Sequence, residues 1–131
     1  MAEHPNVEKL RKGYQAFKDQ DMNTLSELFA GDIVWHAAGV GKLSGDYKGQ
    51  EEVFGYFMKL YQETGGTLTV DVEDIFAKDE RAVVLQRVSA DRNGEHLDNY
   101  TANIFEIDRD GKVTEVWNMS VDTELGNRFF G

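Results

Sequence analysis

Hydrophobic residues recur at helical spacing in the first part of the chain. Val7, Leu10, Tyr14 and Phe17 lie three or four positions apart, with lysine and arginine between them. Such spacing places the apolar side chains on one side of a helix. The pattern therefore predicts an amphipathic helix over residues 6–19.

Two further helices and a strand are predicted before the pattern changes. Asp21 can cap a short second helix, and residues 32–36 form a predicted strand. A glycine-rich loop over 39–49 leads into a third helix over 49–65, which opens with glutamates near its positive end and stops at a glycine pair. The apolar positions are Leu25, Leu28 and Phe29 on the second helix, and Val53, Phe54, Phe57, Met58, Leu60 and Tyr61 on the third.

From Thr67 onward, apolar and polar residues alternate with a period of two, which is typical of strands. Strands are predicted from Thr67, over 81–90, over 96–107 and over 112–120, with hairpin turns between the last three. Helices followed by an antiparallel meander favour an α+β fold, with the helices on one face of a bent sheet. We expect one domain spanning residues 1–131, with an apolar pocket between the two layers.

Composition and charge narrow the function classes. The 131 residues include no cysteine, which excludes disulfides and thiolate metal sites. A net charge of −10 disfavours nucleic acid and anionic membranes as partners, because both would be repelled. The first residues contain no apolar signal-peptide core, so we expect a cytoplasmic protein. The three histidines lack zinc spacing, and the glycines match neither dinucleotide nor phosphate loops, so we expect no metal and no cofactor.

Three segments resemble a known family. They are LSELFAGDIVWHAAG (25–39), the turn at 45–49 and NIFEIDRDGKVTEVWNMSVD (103–122), and the terminal NRFFG is similar as well. Together they resemble the NTF2-like superfamily, in its SnoaL-like and ketosteroid-isomerase-like branch. The resemblance covers nearly the whole chain and implies a cone, in which a curved antiparallel sheet wraps around N-terminal helices and encloses an apolar pocket.

The resemblance also implies catalytic positions. Ketosteroid isomerases use a tyrosine on the first helix, a basic carboxylate on the first strand and a protonated aspartic acid on a later strand. These positions fall on Tyr14, His36 and Asn103 of this chain. A histidine, with an ordinary pKa of about 6.5, could act as the base. Tyr14 and Asn103 could donate to a developing enolate oxygen. The sequence thus predicts that all three side chains open into one cavity.

Alternation extends the predicted lining. If Asn103 points inward, then Asn99, Thr101 and Phe105 share its face. The resemblance adds inward positions on the neighbouring strands, and the third helix adds apolar ones. Strict alternation places Trp35 and Trp117 outside, but a bulge would reverse either, so both are left open. The predicted ligand-binding residues are Phe54, Phe57, Met58, Gln86, Val88, Thr101, Phe105, Val116 and Asn118, with Ser120 on the same face.

Two functions remain open at this level. One is an isomerase or cyclase-like enzyme that moves a proton beside the carbonyl of a small molecule. The other is a non-catalytic domain that binds a small hydrophobic ligand. Both need the same cavity, so the sequence does not separate them.

The outward positions of the long strand bear on assembly. Tyr100, Ala102 and Ile104 face away from the predicted pocket, beside Trp117 on the next strand. An apolar patch of this size favours association, so we expect a homodimer. The competing arrangement is a monomer in which the terminal segment 127–130 covers the patch.

Overall fold

The computed structural model describes residues 3–39 and 41–130. The first half of the chain contains three helices and the first strands, and a meander of longer strands follows, as the sequence predicts. In chain order the elements are α1 (Pro5–Asp19), α2 (Met22–Leu28), β1 (Phe29–Ala37), β2 (Gly45–Lys48), α3 (Gly49–Glu63), β3 (Thr69–Ala77), β4 (Arg81–Arg92), β5 (Glu95–Ile107), β6 (Val113–Ser120) and α4 (Thr123–Phe130).

The strands form one curved six-stranded sheet in the order β2-β1-β6-β5-β4-β3. Every neighbouring pair is antiparallel except β1 and β6, which run parallel. The parallel pair arises because the chain leaves β1, passes through α3 and the meander, and returns beside β1 in the same direction. The predicted α+β cone is confirmed, and the sheet is antiparallel apart from this pair.

The caps of the first two helices follow from local chemistry. His4 precedes α1, and its Nδ1 accepts the Asn6 backbone N–H at 3.1 Å. Gln20 ends α1 in the left-handed conformation. Asp21 then caps α2, because its carboxylate accepts the Thr24 backbone N–H at 3.1 Å. The predicted cap at Asp21 is confirmed.

Three local predictions differ from the structure. Phe29 has extended backbone angles and begins β1, so it does not belong to the second helix. The glycine-rich loop contains the short strand β2, which pairs with β1. Residues 123–130 form α4, which was not predicted. In the last two cases the element depends on packing against distant strands.

The core lies between the helices and the face of the sheet that they cover, which is called the inner face below. Ile33, Val53, Val84 and Val116 are fully buried there. None of the helices in residues 3–39 and 41–130 covers the opposite, outer face, and Tyr100 is 52% exposed on it. None of the helices in the described part of the chain is both long and apolar enough to cross a membrane.

Candidate functional site

A cavity of about 190 Å³ opens between the helices and the inner face of the sheet. Its size slightly exceeds the roughly 150 Å³ apolar cavity that takes up benzene. Aromatic side chains form much of the wall, and several meet edge to face. The aromatic lining residues are Tyr14, Phe17, Phe29, Trp35, Tyr56, Phe57, Phe105 and Phe130.

A chain of neutral hydrogen bonds crosses one part of this cavity. Asn118 Nδ2 donates to Asn103 Oδ1 at 2.8 Å. Asn103 Nδ2 in turn donates to the Tyr14 hydroxyl oxygen at 2.9 Å. The two asparagines are paired directly across β5 and β6, and Tyr14 reaches them from α1. Each amide therefore orients the next group, and the series ends at the tyrosine.

The Tyr14 hydroxyl keeps its proton for donation. Burial raises the pKa of Tyr14 well above its usual range, against the lowering effect of the hydrogen bond from Asn103. The oxygen already accepts from Asn103, and its own hydrogen has no protein acceptor among the residues that the structure describes. The hydroxyl can thus donate to a group placed in the cavity.

A second set of amides and hydroxyls continues along the inner face of β4, β5 and β6. Gln86 Nε2 donates to Thr101 Oγ1 at 2.8 Å. Asn99 Nδ2 donates to Ser120 Oγ at 2.7 Å. All four side chains line the same cavity and none of them carries a charge. One wall is therefore polar but uncharged, and aromatic side chains form much of the remaining lining.

Most of the predicted lining residues are where alternation placed them. Asn103 and Tyr14 share the cavity, as predicted. Trp35, left open by the sequence, also lies on the inner side, whereas Trp117 lies half-buried on the outer side. The predicted ligand-binding residues that line the cavity are Phe57, Gln86, Val88, Thr101, Phe105 and Asn118.

His36 lies on the outer face, so the prediction that it opens into the cavity is wrong. Its Nδ1 is 2.6 Å from Asp46, its Nε2 is 2.6 Å from Glu115, and its ring stacks on Trp117 with centroids 5.5 Å apart. The physical reason is the phase of alternation along β1: Trp35 points inward, and the residue that follows must point outward. Hydrogen bonds to Glu115 and then Asp46 raise the pKa of His36.

Phe54, Met58 and Val116 are also outside the lining. Met58 is 45% exposed, and Phe54 packs against Phe29 with ring centroids 6.0 Å apart. The helical period explains both, because α3 presents positions 53, 56 and 57 to the core and turns 54 and 58 to its flanks. Val116 does point inward, but it is fully buried in the core beneath the cavity.

Several lining residues were not predicted. Tyr56 sits three positions after Val53 on the buried side of α3, and this spacing could have identified it. The C-terminal helix α4 closes another part of the cavity with residues that carry no distinctive motif. The residues of α4 in the lining are Thr123, Gly126, Asn127 and Phe130.

The charge of the lining limits its chemistry. Among the lining residues described, the charged side chain is Lys9, and its Nζ donates to the Gly111 carbonyl at 2.8 Å. No carboxylate or imidazole belongs to the described lining, so no protein group there can serve as a carboxylate or histidine base. Within residues 3–39 and 41–130, no cluster of three or more histidine, aspartate or glutamate side chains could hold a metal ion.

The family model of the SnoaL-like domain matches residues 10–116, which is most of the chain. The chain belongs to the SnoaL-like domain family. This SnoaL-like domain is 34% identical to Bal32a from a soil-derived mobile gene cassette, covering 96% of each chain with a TM-score of 0.92.

Two other proteins extend the comparison. An uncharacterized protein of Mycobacterium tuberculosis is 24% identical over 131 residues, 99% of both chains. An NTF2-like protein of Burkholderia xenovorans, 19% identical over 96% of this chain and 95% of its own, has a TM-score of 0.81 and shares the fold. The predicted SnoaL-like family is thus confirmed, and the chain shares the fold of an NTF2-like protein.

Proposed function

We propose that this SnoaL-like domain binds a small, uncharged and mostly apolar molecule, whose carbonyl oxygen accepts a hydrogen bond from the Tyr14 hydroxyl. The observation that carries the proposal is the series Asn118, Asn103, Tyr14. It ends in a protonated hydroxyl with a hydrogen free for the cavity.

The surroundings of Tyr14 favour a neutral acceptor. A hydrogen bond is electrostatically stronger in a buried, low-dielectric site than in water, and successive donors polarise one another. The cationic side chain among the described lining residues is Lys9, and its ammonium group donates to the Gly111 carbonyl. A carboxylate ligand would lose its hydration without gaining an ion pair, and that loss is costly. A ketone or similar carbonyl group meets no such penalty.

The size of the cavity supports a ligand of one or two rings. Its volume of about 190 Å³ is below the roughly 300–1,000 Å³ usual for sites that take drug-sized molecules. The aromatic wall supplies apolar contacts to the body of such a ligand, including Phe57 and Phe105. The polar wall then fixes its orientation.

Proton transfer beside the carbonyl is the second candidate function. The Tyr14 hydrogen bond would stabilise a developing enolate as well as a bound ketone. His36 does not serve as the base, because it lies on the outer face between Asp46 and Glu115. A catalytic version therefore requires a base supplied by the substrate or by water.

The test is calorimetric titration with 1-tetralone, a two-ring ketone. We expect Tyr14→Phe to weaken binding about fivefold to thirtyfold, since a buried hydrogen bond contributes about 1–2 kcal/mol. The matched control is Tyr61→Phe, because the Tyr61 hydroxyl donates to the Phe17 carbonyl and Tyr61 is outside the cavity lining. Equal affinity of wild type and Tyr14→Phe would refute the proposal.

A second measurement on the same samples separates binding from catalysis. It follows deuterium exchange at the carbon beside the carbonyl of 1-tetralone. Exchange that the wild type accelerates and that Tyr14→Phe abolishes indicates catalysis.

A further inference from the structure

Asn99 holds a fixed orientation at the other end of the polar wall. It lies on β5, is buried and lines the cavity. One amide hydrogen goes to Ser120 Oγ at 2.7 Å, and the other goes to the Asp122 carbonyl at 3.2 Å. Since both N–H groups are used, the amide nitrogen is turned away from any ligand and the oxygen is its remaining polar atom.

The Oδ1 atom of Asn99 lacks a hydrogen-bond partner in the described part of the chain, but protein atoms do not fully enclose it. It accepts no hydrogen bond from the part of the chain that the structure describes. In that part, the side-chain polar atom that is both fully enclosed and without a partner is Nε1 of Trp35. The Asn99 oxygen is therefore not fully enclosed, and Asn99 is one of the residues that line the cavity. A buried acceptor left open in this way is a place for a ligand donor.

We propose that the cavity contains a second polar subsite, at which Asn99 Oδ1 accepts a hydrogen bond from a hydroxyl group of the ligand. Combined with the proposed carbonyl site at Tyr14, on which this inference rests, it defines the ligand class. The ligand is an uncharged hydroxylated carbonyl compound with its two oxygens at opposite ends. Asn99 then selects among carbonyl ligands, whereas Tyr14 holds the feature that they share.

The two subsites lie at different positions along β5. Asn99 and Asn103 are four residues apart on this strand, so their α-carbons are separated by roughly 13 Å, and the Tyr14 hydroxyl is hydrogen-bonded to Asn103. The ligand therefore extends along the strand. A two-ring skeleton with a ketone on one ring and a hydroxyl at the far edge of the other has its oxygens at opposite ends, as this arrangement requires. Val88 and Leu97 line the cavity as well and surround such a ring with apolar contacts.

The experiment compares three probes on the wild-type protein by calorimetry: 1-tetralone, 6-hydroxy-1-tetralone and 6-methyl-1-tetralone. Hydroxyl and methyl have similar size, so the pair isolates the hydrogen bond. We expect the hydroxy compound to bind about fivefold to twentyfold tighter than the methyl compound. Equal or weaker binding of the hydroxy compound overturns the subsite, while Tyr14-dependent binding of 1-tetralone leaves the proposed function in place. Failure of all three probes to bind overturns both.

Two variants locate the effect. Asn99→Leu is expected to abolish the preference for the hydroxy compound and to keep the dependence of 1-tetralone binding on Tyr14. Val88→Ala is the matched control, because it removes an apolar contact from the same strand pair. We expect it to weaken the binding of the hydroxy and methyl compounds by a similar factor, so that the ratio of the two affinities is unchanged. An undiminished hydroxyl preference in Asn99→Leu would overturn the assignment. If Asn99→Leu does not fold, the wild-type comparison decides the question by itself.

Discussion

His36 shows how a side chain excluded from the cavity acquires another role. Its two ring nitrogens face Asp46 on β2 and Glu115 on β6, and its ring stacks on Trp117. The protonated ring therefore connects the edge strand β2 to β1 and β6. This contact lies on the outer face, so it affects the stability of the sheet and not the chemistry of the cavity.

The raised pKa of His36 predicts a pH-dependent stability. The folded state binds the proton of His36 more tightly than the unfolded chain does. The protonated ring therefore contributes its full stabilisation below the pKa of histidine in the unfolded chain, about 6.5. This stabilisation is lost as the pH rises through the pKa of His36 in the folded state. We expect His36→Gln to reduce the free energy of unfolding more at about pH 5.5 than at about pH 8.5, measured by urea denaturation.

The control for this prediction is His96→Gln. His96 faces one carboxylate, Asp91, and both side chains are 61% exposed. Solvent screens such a pair, so the variant should follow wild type at both pH values. If His36→Gln reduced the free energy of unfolding equally at both pH values, the role of the two carboxylates would be contradicted.

At the scale of elements, Arg92 is one of the residues that attach α4 to the rest of the fold. Arg92 at the end of β4 donates from Nη1 to the Phe129 carbonyl at 2.9 Å and from Nε to Glu63 at 3.1 Å. Phe129 itself packs on Ala90 and Leu97. Arg92 thus joins α4 to the end of α3, and α4 in turn closes part of the cavity.

We expect Arg92→Ala to loosen α4 without unfolding the sheet. The amides of residues 123–130 should exchange with deuterium faster than in wild type, while those of β5 keep their protection. Arg11→Ala is the control, since Arg11 contacts Glu3 on an exposed surface. Unchanged exchange in α4 would show that contacts other than those of Arg92 hold the helix.

At the scale of the whole molecule, the outer face of the sheet carries an exposed apolar surface. Leu85 is 41% exposed, Tyr100 52% and Met119 53%, on the adjacent strands β4, β5 and β6. The terminal segment does not cover them, because Phe129 and Phe130 pack toward the inner side. A two-fold contact between copies would bury this surface, and we propose that the protein is a homodimer through it.

Light scattering at micromolar concentration tests the homodimer. We expect twice the 14.8 kDa mass of the chain for wild type, and the chain mass for Leu85→Asp, which places a charge in the contact. Met58→Asp is the matched control, because Met58 is similarly exposed on α3, away from the outer face. A wild-type mass of 14.8 kDa would refute the dimer.

The sequence by itself determined the parts of this protein that depend on local periodicity. The period of two along β5 placed Asn99, Thr101, Asn103 and Phe105 on one face, and the structure has all four in the cavity lining. The helical spacing that includes Tyr14 placed this residue on the buried side of α1. The strand period on β5 and the helical period on α1 are each regular over many residues, so the local pattern fixed the direction of each side chain.

Only the tertiary structure decided the direction of Trp35 and His36 and the presence of β2 and α4. On β1, a shift of one residue exchanges the inner and outer faces. The register of the parallel pairing between β1 and β6 selects one of the two faces. This register is irregular between Phe29 and Val34. β2 exists because β1 offers it an edge, and α4 packs against distant residues of β5 and β6. These contacts join residues far apart in sequence, so no local pattern records them.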